Sequence, residues 1–351
     1  MLQLRLIKPA IILSLFFILL FLLPGCGLNS DVVREGKSGQ ESDLIYTQVG
    51  SKVVEVRNVI RPNNHRLQEA SPAGTKTGEA MRQIAKEKFD AVREMEFVEV
   101  PAGEFLMGSR EIEGYGDEHP QHKVFLDAYR IGKYEVTNAQ FAKFVQASGY
   151  KPQGDWRHFY WGQLTAPGYP EKYPDYPVIN VTCNDAQAFC QWAGKTYGWK
   201  GCHLPTEAQW EKAAKGTQGY CYPWGDDWDP LRCNHWYGPR RSGMLNLYSG
   251  RGTVPVGSFP SGASPYGAMD MAGNVWEWCA DWYRGDYYAV SPPSKPKGPQ
   301  TGKYRVFRGG SCLTYGGRGY DDTCRCCYRL THELKLCNYA IGFRCARAGK
   351  P

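Results

Sequence analysis

The sequence predicts an α+β domain that is loop-rich, with few helices and short strands. Three observations carry this. First, the 351-residue chain holds 40 Gly, 23 Tyr, 11 Trp and 14 Phe. So many glycines interrupt long elements, and the Tyr and Trp bury large areas while needing partners for their polar tips. Second, helix-start signals occur in only a few places. Third, the remaining apolar runs are of strand length and bounded by turns. The stretch from residue 96 onward, about 250 residues, is ample for one core.

Residues 1–25 read as a signal peptide. Arg5 and Lys8 supply positive charge, and Ile11–Leu23 is almost wholly apolar, too short to favour a spanning helix. Leu23-Pro24-Gly25-Cys26 follows at once and resembles a bacterial lipobox, although Pro24 is unusual in its place. The resemblance implies cleavage before Cys26 and lipid on its thiol, hence a membrane anchor. Gly27 stands where some lipoproteins carry a retention Asp, which points to the outer membrane or cell surface. Residues 26–77 are rich in Ser, Gly, Asn and charge and read as a flexible tether. Residues 78–95 place Met81, Ile84, Phe89, Val92 and Met95 on one side at helical spacing, an amphipathic helix docking on the domain.

Within residues 96–351, Val136-Thr137-Asn138 precedes a helix on which Phe141, Phe144 and Val145 share a face. Thr182 with Asp185 forms a capping-box variant ahead of AQAFCQWAGK. A third helix begins at Pro205-Thr206-Glu207, with Thr206 as N-cap and Glu207 complementing the helix dipole. Phe97–Val100, Lys123–Leu126 and Tyr304–Phe307 read as strands.

Residues 304–347 are chemically the most unusual stretch. Arg308-Gly309-Gly310-Ser311 and Ile341-Gly342-Phe343-Arg344 look rigidly specified. Between them lies an aperiodic mixture of Tyr, Gly, Arg, Asp, Thr, His, Lys, Asn and Cys. A fixed frame around varied residues is how a scaffold presents a binding surface; the alternative is a long surface loop without a task. The candidate contact residues are Cys312, Thr314, Tyr315, Gly317, Arg318, Tyr320, Asp321, Asp322, Tyr328, Thr331, His332, Lys335, Asn338 and Tyr339. The tyrosines offer rigid amphipathic area and the small and polar residues adaptability, as in a paratope. The expected partner is a macromolecule, most simply a protein, bound by a monomer. Arg308, Gly309, Gly310, Gly342, Phe343 and Arg344 are expected to hold the frame.

The charge of +7 is spread along the chain with no basic run, so nucleic-acid binding has no support. Of 13 cysteines, Cys26 is assigned to lipid. Among the others, Cys324-Arg325-Cys326-Cys327 contains one CxxC spacing but no second pair or His completes a zinc spacing, and the run is crowded for ordinary disulfides. The disulfide pattern stays open.

The elements FVEVPAGEFLMGS, KYEVTNAQFAKFV, PVINVTCNDAQAFCQW, HLPTEAQWEKAAKG, YPWGDDWDP, PVGSFPSGASPYGAMDMAGNVWEWCADWY, RVFRGGS and IGFRCAR occur in that order. Together they resemble the formylglycine-generating enzyme (sulfatase-modifying factor) superfamily over residues 96–347. The resemblance implies a C-type-lectin-like fold. It also implies a copper-binding Cys-x4-Cys pair after Gly-Gly-Ser, which oxidises a sulfatase cysteine. Here those positions fall at Thr314 and Asp321, so the expectation is a non-catalytic protein without copper. The pattern also resembles variable proteins of diversity-generating retroelements, treponemal surface lipoproteins among them, which display a hypervariable C-terminal segment. Two alternatives stay open: a formylglycine-generating or related oxidoreductase, and a fixed-function lipoprotein. Asp270, Gly273, Val275 and Glu277 resemble the family's calcium loop, with hard oxygen ligands that suit structural Ca²⁺; the competing reading is that Trp276 and Glu277 simply pack the core.

Overall fold

The computed structural model describes residues 45–49, 52–56, 95–157, 159–161, 164–166, 173–235, 252–313, 322–333 and 340–349. The signal peptide with Cys26, the helix read over 78–95 except Met95, and residues 314–321 and 334–339 of the aperiodic stretch lie outside them. Among the described residues no helix is long and apolar enough to cross a membrane. Two compact units separate at Ser71 and Pro72.

The first unit contains an antiparallel pair, β1 (Ile45–Val49) and β2 (Lys52–Val56). It lies inside the stretch read as a tether. The β-branched residues of IYTQV and KVVEV suit a strand pair, a signal the compositional reading passed over.

The second unit is the α+β domain. Its helices are α1 (Asn138–Ser148), α2 (Cys183–Tyr197) and α3 (Glu207–Lys215). Each begins at a threonine whose hydroxyl accepts from the N3 amide, reciprocated by the N3 side chain: Thr137 with Gln140, Thr182 with Asp185 and Thr206 with Gln209. These boxes satisfy donors that helix starts leave open. α1 and α2 end at Gly149 and Gly198, both left-handed, the conformation glycine adopts at least cost.

A three-stranded antiparallel sheet joins β3 (Phe97–Val100), β6 (Tyr129–Gly132) and β13 (Ala346–Ala348), so the C-terminus closes on the start of the domain. β4 (Gly103–Met107) pairs with β5 (His122–Leu126), and the short β7 (Phe159–Trp161) with β8 (Leu164–Ala166). A four-stranded sheet has the order β11 (Leu330–Glu333), β10 (Tyr304–Arg308), β9 (Trp276–Trp282), β12 (Ile341–Gly342). β12 runs parallel to β9; the other pairs are antiparallel.

Two apolar clusters fill the interior. One gathers Phe141, Phe144, Phe189, Trp278, Phe307 and Phe343 between α1, α2 and the four-stranded sheet. The other packs Trp210, Ala213 and Ala214 of α3 against Val100, Phe105, Val124 and Ile131. Several aromatics carry a satisfied polar tip: the Trp278 indole donates to the Val181 carbonyl at 3.0 Å and Trp210 to Glu277 at 2.9 Å.

Candidate functional site

The aperiodic segment is held by buried charge at its ends and in its described middle. Arg308, at the end of β10, is wholly buried. It donates to Glu207 at 2.6 Å and Glu211 at 2.7 Å, both on α3. Arg329, one residue before β11, forms a fork with Glu207 at 2.7 and 2.9 Å. Arg325 forks onto Glu118 at 2.7 and 2.9 Å. Lys215 donates to Glu211 at 3.1 Å and to the Cys327 sulfur at 3.0 Å. Burial pushes the Glu211 carboxyl up, but Lys215 and Arg308 outweigh it and hold it down to about 2. Glu207 stands in the first turn of α3, as read from the sequence, and there also serves two guanidiniums inside the protein.

Glycine geometry completes the frame. Gly310 has φ of 74°, and a Cβ there would lie 2.9 Å from the Thr323 carbonyl oxygen. A Cβ on Gly342 would lie 2.6 Å from the carbonyl oxygen of Val178. No larger residue fits either place without moving backbone. At the far end Arg344 grips Glu277 with two bonds of 2.6 Å and donates to the Gly132 and Met269 carbonyls. Phe343 and Arg344 are fully buried, as a frame requires.

The candidate contact residues divide. Thr314, Tyr315, Gly317, Arg318, Tyr320, Asp321, Lys335, Asn338 and Tyr339 fall in 314–321 and 334–339, outside the described residues. Thr331 and His332 are half-buried on β11, the edge strand, and Asp322 is partly exposed beside Arg325 and the Tyr115 hydroxyl. Cys312 departs from the expectation. It is 1% exposed, its N–H donates to the Asn274 carbonyl, and burial drives its thiol up. It is packing, not contact surface. Tyr328 is half-buried, edge-on to Tyr115 at 5.5 Å and 5.9 Å from Trp276, and so braces the frame.

The candidate calcium loop is sharply bent. Asp270 and Asn274 have φ of 57° and 61°, which non-glycine residues adopt mainly where the surroundings hold them. A Cβ on Gly273 would lie 2.3 Å from the Asn234 carbonyl oxygen. Asp270, Glu277 and Glu135 are all buried together with Arg344. Burial and then Asp270 push the Glu135 carboxyl well up, and burial raises Asp270 to about 6. Glu135 was not found by sequence reasoning. Its Oε2 is buried with no N–H or hydroxyl donor, and its carboxyl lies against that of Asp270.

A third cluster was also missed. Cys190 of α2, Cys202 of the following loop and Cys345 after β12 bring three sulfurs within 4.8 Å of one another. Cys190 and Cys345 are buried and their sulfurs lie 3.4 Å apart. Cys202 is half-buried; hydrogen bonds from Cys190 and then Cys345 hold its thiol down to about 4. It lines a cleft of about 710 Å³ together with His203, Gln209, Lys295, Lys297 and Arg347.

One buried carboxyl beside the Glu207 network titrates in a useful range. Asp281 accepts the Glu207 N–H at 2.8 Å, and burial, then Glu207, pushes it up to about 7. Between about pH 4 and 7 the folded chain then keeps a proton that the unfolded chain has lost, so Asp281 lowers stability as pH rises through that window. Asp281→Asn keeps an acceptor and removes this slope. Its stability relative to the parent should rise by on the order of 2–4 kcal/mol from pH 4 to 7, then level. Denaturant melts at each pH would show it; a constant difference would refute it.

Comparison with known proteins adds the following. The family model of the sulfatase-modifying factor enzyme 1-like domain matches residues 83–349. The formylglycine-generating enzyme of Thermomonospora curvata is 36% identical over 71% of this chain and 92% of its own. That of Streptomyces coelicolor is 37% identical over 71% and 88%. The solved structure of Treponema denticola variable protein 1 superposes with a TM-score of 0.57 at 26% identity, covering 74% of this chain and 97% of that one. These relatives overturn the expectation, drawn from Thr314 and Asp321, that the chain is not an enzyme. Its similarity to named enzymes spans the whole domain. Missing thiols at one pair of positions do not remove thiols from the domain, as Cys190, Cys202 and Cys345 show.

Proposed function

The chain belongs to the sulfatase-modifying factor family, and from that membership we propose that it engages a cysteine-bearing polypeptide at the surface built by residues 312–339 and acts on it as a formylglycine-generating or related oxidoreductase. The observation that carries this reading is the identity of 36–37% to formylglycine-generating enzymes over most of both chains. The buried frame supports it. Arg308 and Arg344 fix the two ends of the segment, and Arg325 and Arg329 fix its described middle, a rigid base of the kind on which a site gains precision. Thr314 and Asp321 offer oxygen where copper takes soft thiolates. The copper pair of the family does not fit there.

The test is conversion of a Cys-x-Pro-x-Arg sulfatase peptide, followed by mass under air, with and without added copper. Conversion of the peptide cysteine to formylglycine is expected. A bound but unchanged peptide would contradict oxidation and leave the second reading.

That second reading is display: a lipid-anchored surface protein whose segment is diversified to bind changing macromolecular ligands. The likeness to the Treponema denticola variable protein favours it, as does the Tyr-, Gly- and Asp-rich make-up of residues 314–321. Comparison of sister isolates tests it, since changes should concentrate between Cys312 and Tyr339. Mass spectrometry of the membrane-bound protein tests the anchor; an unmodified Cys26 would sink it.

Calcium is proposed for the loop at Asp270–Glu277. The residues fit: three buried carboxylates, Glu135, Asp270 and Glu277, face the single guanidinium of Arg344, and one Glu135 oxygen has no N–H or hydroxyl donor. Asp270 and Glu277 would supply carboxylate oxygens, Gly273 and Val275 backbone carbonyls. A bound ion stabilises the native state by mass action, about 2.7 kcal/mol at a hundred times its dissociation constant. Chelation should therefore lower the melting temperature and Ca²⁺ should restore it. An unchanged melt after exhaustive chelation would refute the site.

A further inference from the structure

We propose that Cys233 and Cys324 form a modification site, joining in a disulfide bond that ties the C-terminal segment to the loop before Asn234. The bond does not depend on whether the segment oxidises a cysteine or displays a binding surface, so it stands or falls independently of the function proposed above.

The fold brings the two residues together. Cys233, Cys324, Tyr222 and Ala272 pack in one buried cluster. Cys233 is 2% and Cys324 1% exposed. Both thiols are free, and their side chains share a hydrogen bond. A chain of backbone contacts fixes them there. Asn234 bridges to Gly273, whose N–H donates to the Gly309 carbonyl at 2.7 Å. Next to Gly309, a Cβ on Gly310 would lie 3.1 Å from the Cys324 sulfur, so glycine there makes room for it. Beyond Cys324, Arg325 is forked onto Glu118, and the Cys326 N–H donates to the Cys221 carbonyl at 2.7 Å. Neither cysteine relies on its own thiol for its place.

The neighbouring cysteines are placed otherwise. Cys326 belongs to a different cluster, and the Cys327 sulfur is engaged with Lys215 and the Gly108 carbonyl. Cys221, at the margin of the cluster, lies among Arg325, Cys327 and Glu113.

The chemistry is exchange with a small-molecule disulfide such as oxidised glutathione. One cysteine thiolate attacks a glutathione sulfur and releases the first glutathione thiolate. The other cysteine thiolate then attacks the mixed disulfide and releases the second. Two cysteine thiols thereby lose two protons and two electrons, and one glutathione disulfide becomes two thiols. Burial pushes the Cys233 thiol well up, so the exchange belongs to folding, before the cluster closes. The same burial then shields the bond from reductants. A cross-link between residues this far apart in sequence restrains the unfolded chain strongly.

The test folds the full chain in a mixture of oxidised and reduced glutathione. The product is denatured in an alkylating reagent, digested and mapped by mass without reduction. One peptide pair joined through Cys233 and Cys324 is expected, lighter than the two thiol peptides by two hydrogens and lost on reduction. This readout needs no variant to fold. Cys324→Ser should leave Cys233 fully alkylated, and Cys221→Ser should leave the joined pair intact. Alkylation of both Cys233 and Cys324 in the parent, or a bond from either to a third cysteine, would overturn the proposal.

Discussion

Arg344→Met should unfold the domain near room temperature or leave it only marginally stable. Arg344 is fully buried and makes two 2.6 Å bonds to Glu277. Its other donors satisfy the carbonyls of Gly132 and Met269. Methionine fills similar volume but offers no donor, so Glu277 keeps only the Trp210 indole as a partner. Removing one partner of a buried pair costs about 3–5 kcal/mol, and each deserted carbonyl adds to that. Domains are stable by about 5–15 kcal/mol in all, so little margin remains. The change also leaves Glu135, Asp270 and Glu277 without their guanidinium, so any rescue by Ca²⁺ should be larger in the variant than in the parent. Urea unfolding with and without Ca²⁺ measures both effects. A loss under about 1 kcal/mol would show that the pair contributes little.

Glu207→Ala should be as damaging and should also release the segment. Glu207 accepts from Arg308 and Arg329 at once. Its loss leaves Arg308 with Glu211 but strips Arg329 of its carboxylate, at about 3–5 kcal/mol for the broken buried pair. Arg329 ties the start of β11 to α3, so hydrogen exchange over Leu330–Glu333 should quicken more than over β9. His332→Ala, on the same strand but half-buried and outside the network, should change stability by only about 0.5 kcal/mol. Equal effects of the two substitutions would mean that the network does not hold the segment.

Much of the fold was legible because its signals are local. The three threonine N-caps announce α1, α2 and α3, and capping depends on neighbours three residues away. The Gly-Gly-Ser and Gly-Phe-Arg ends were legible because glycine in a fixed place reports close backbone approach. The buried ion network was not. Glu207, Glu211 and Lys215 lie four apart on α3, the spacing of a solvated helix face. Here that face turns inward because Arg308 and Arg329 arrive from residues about a hundred positions away. The thiol cluster stayed hidden for the same reason, since Cys190 and Cys345 meet across 155 residues. Cys312 and Tyr328 look like surface chemistry by composition, yet tertiary packing buries the first and half-buries the second. No residue type by itself records that choice.

The central claim is that residues 312–339, on this frame, recognise a polypeptide. The most direct measurement is calorimetric titration of the Cys-x-Pro-x-Arg peptide into two proteins. One is the parent; the other carries Tyr315→Ala, Tyr320→Ala, Asp321→Ala and Tyr339→Ala together. Truncating hot-spot aromatics costs about 2 kcal/mol or more each. The account therefore predicts binding by the parent and a loss of at least about 100-fold in the variant, with the melting temperature nearly unchanged because the frame is intact. Equal affinity in the two proteins, or no binding by the parent, would contradict it.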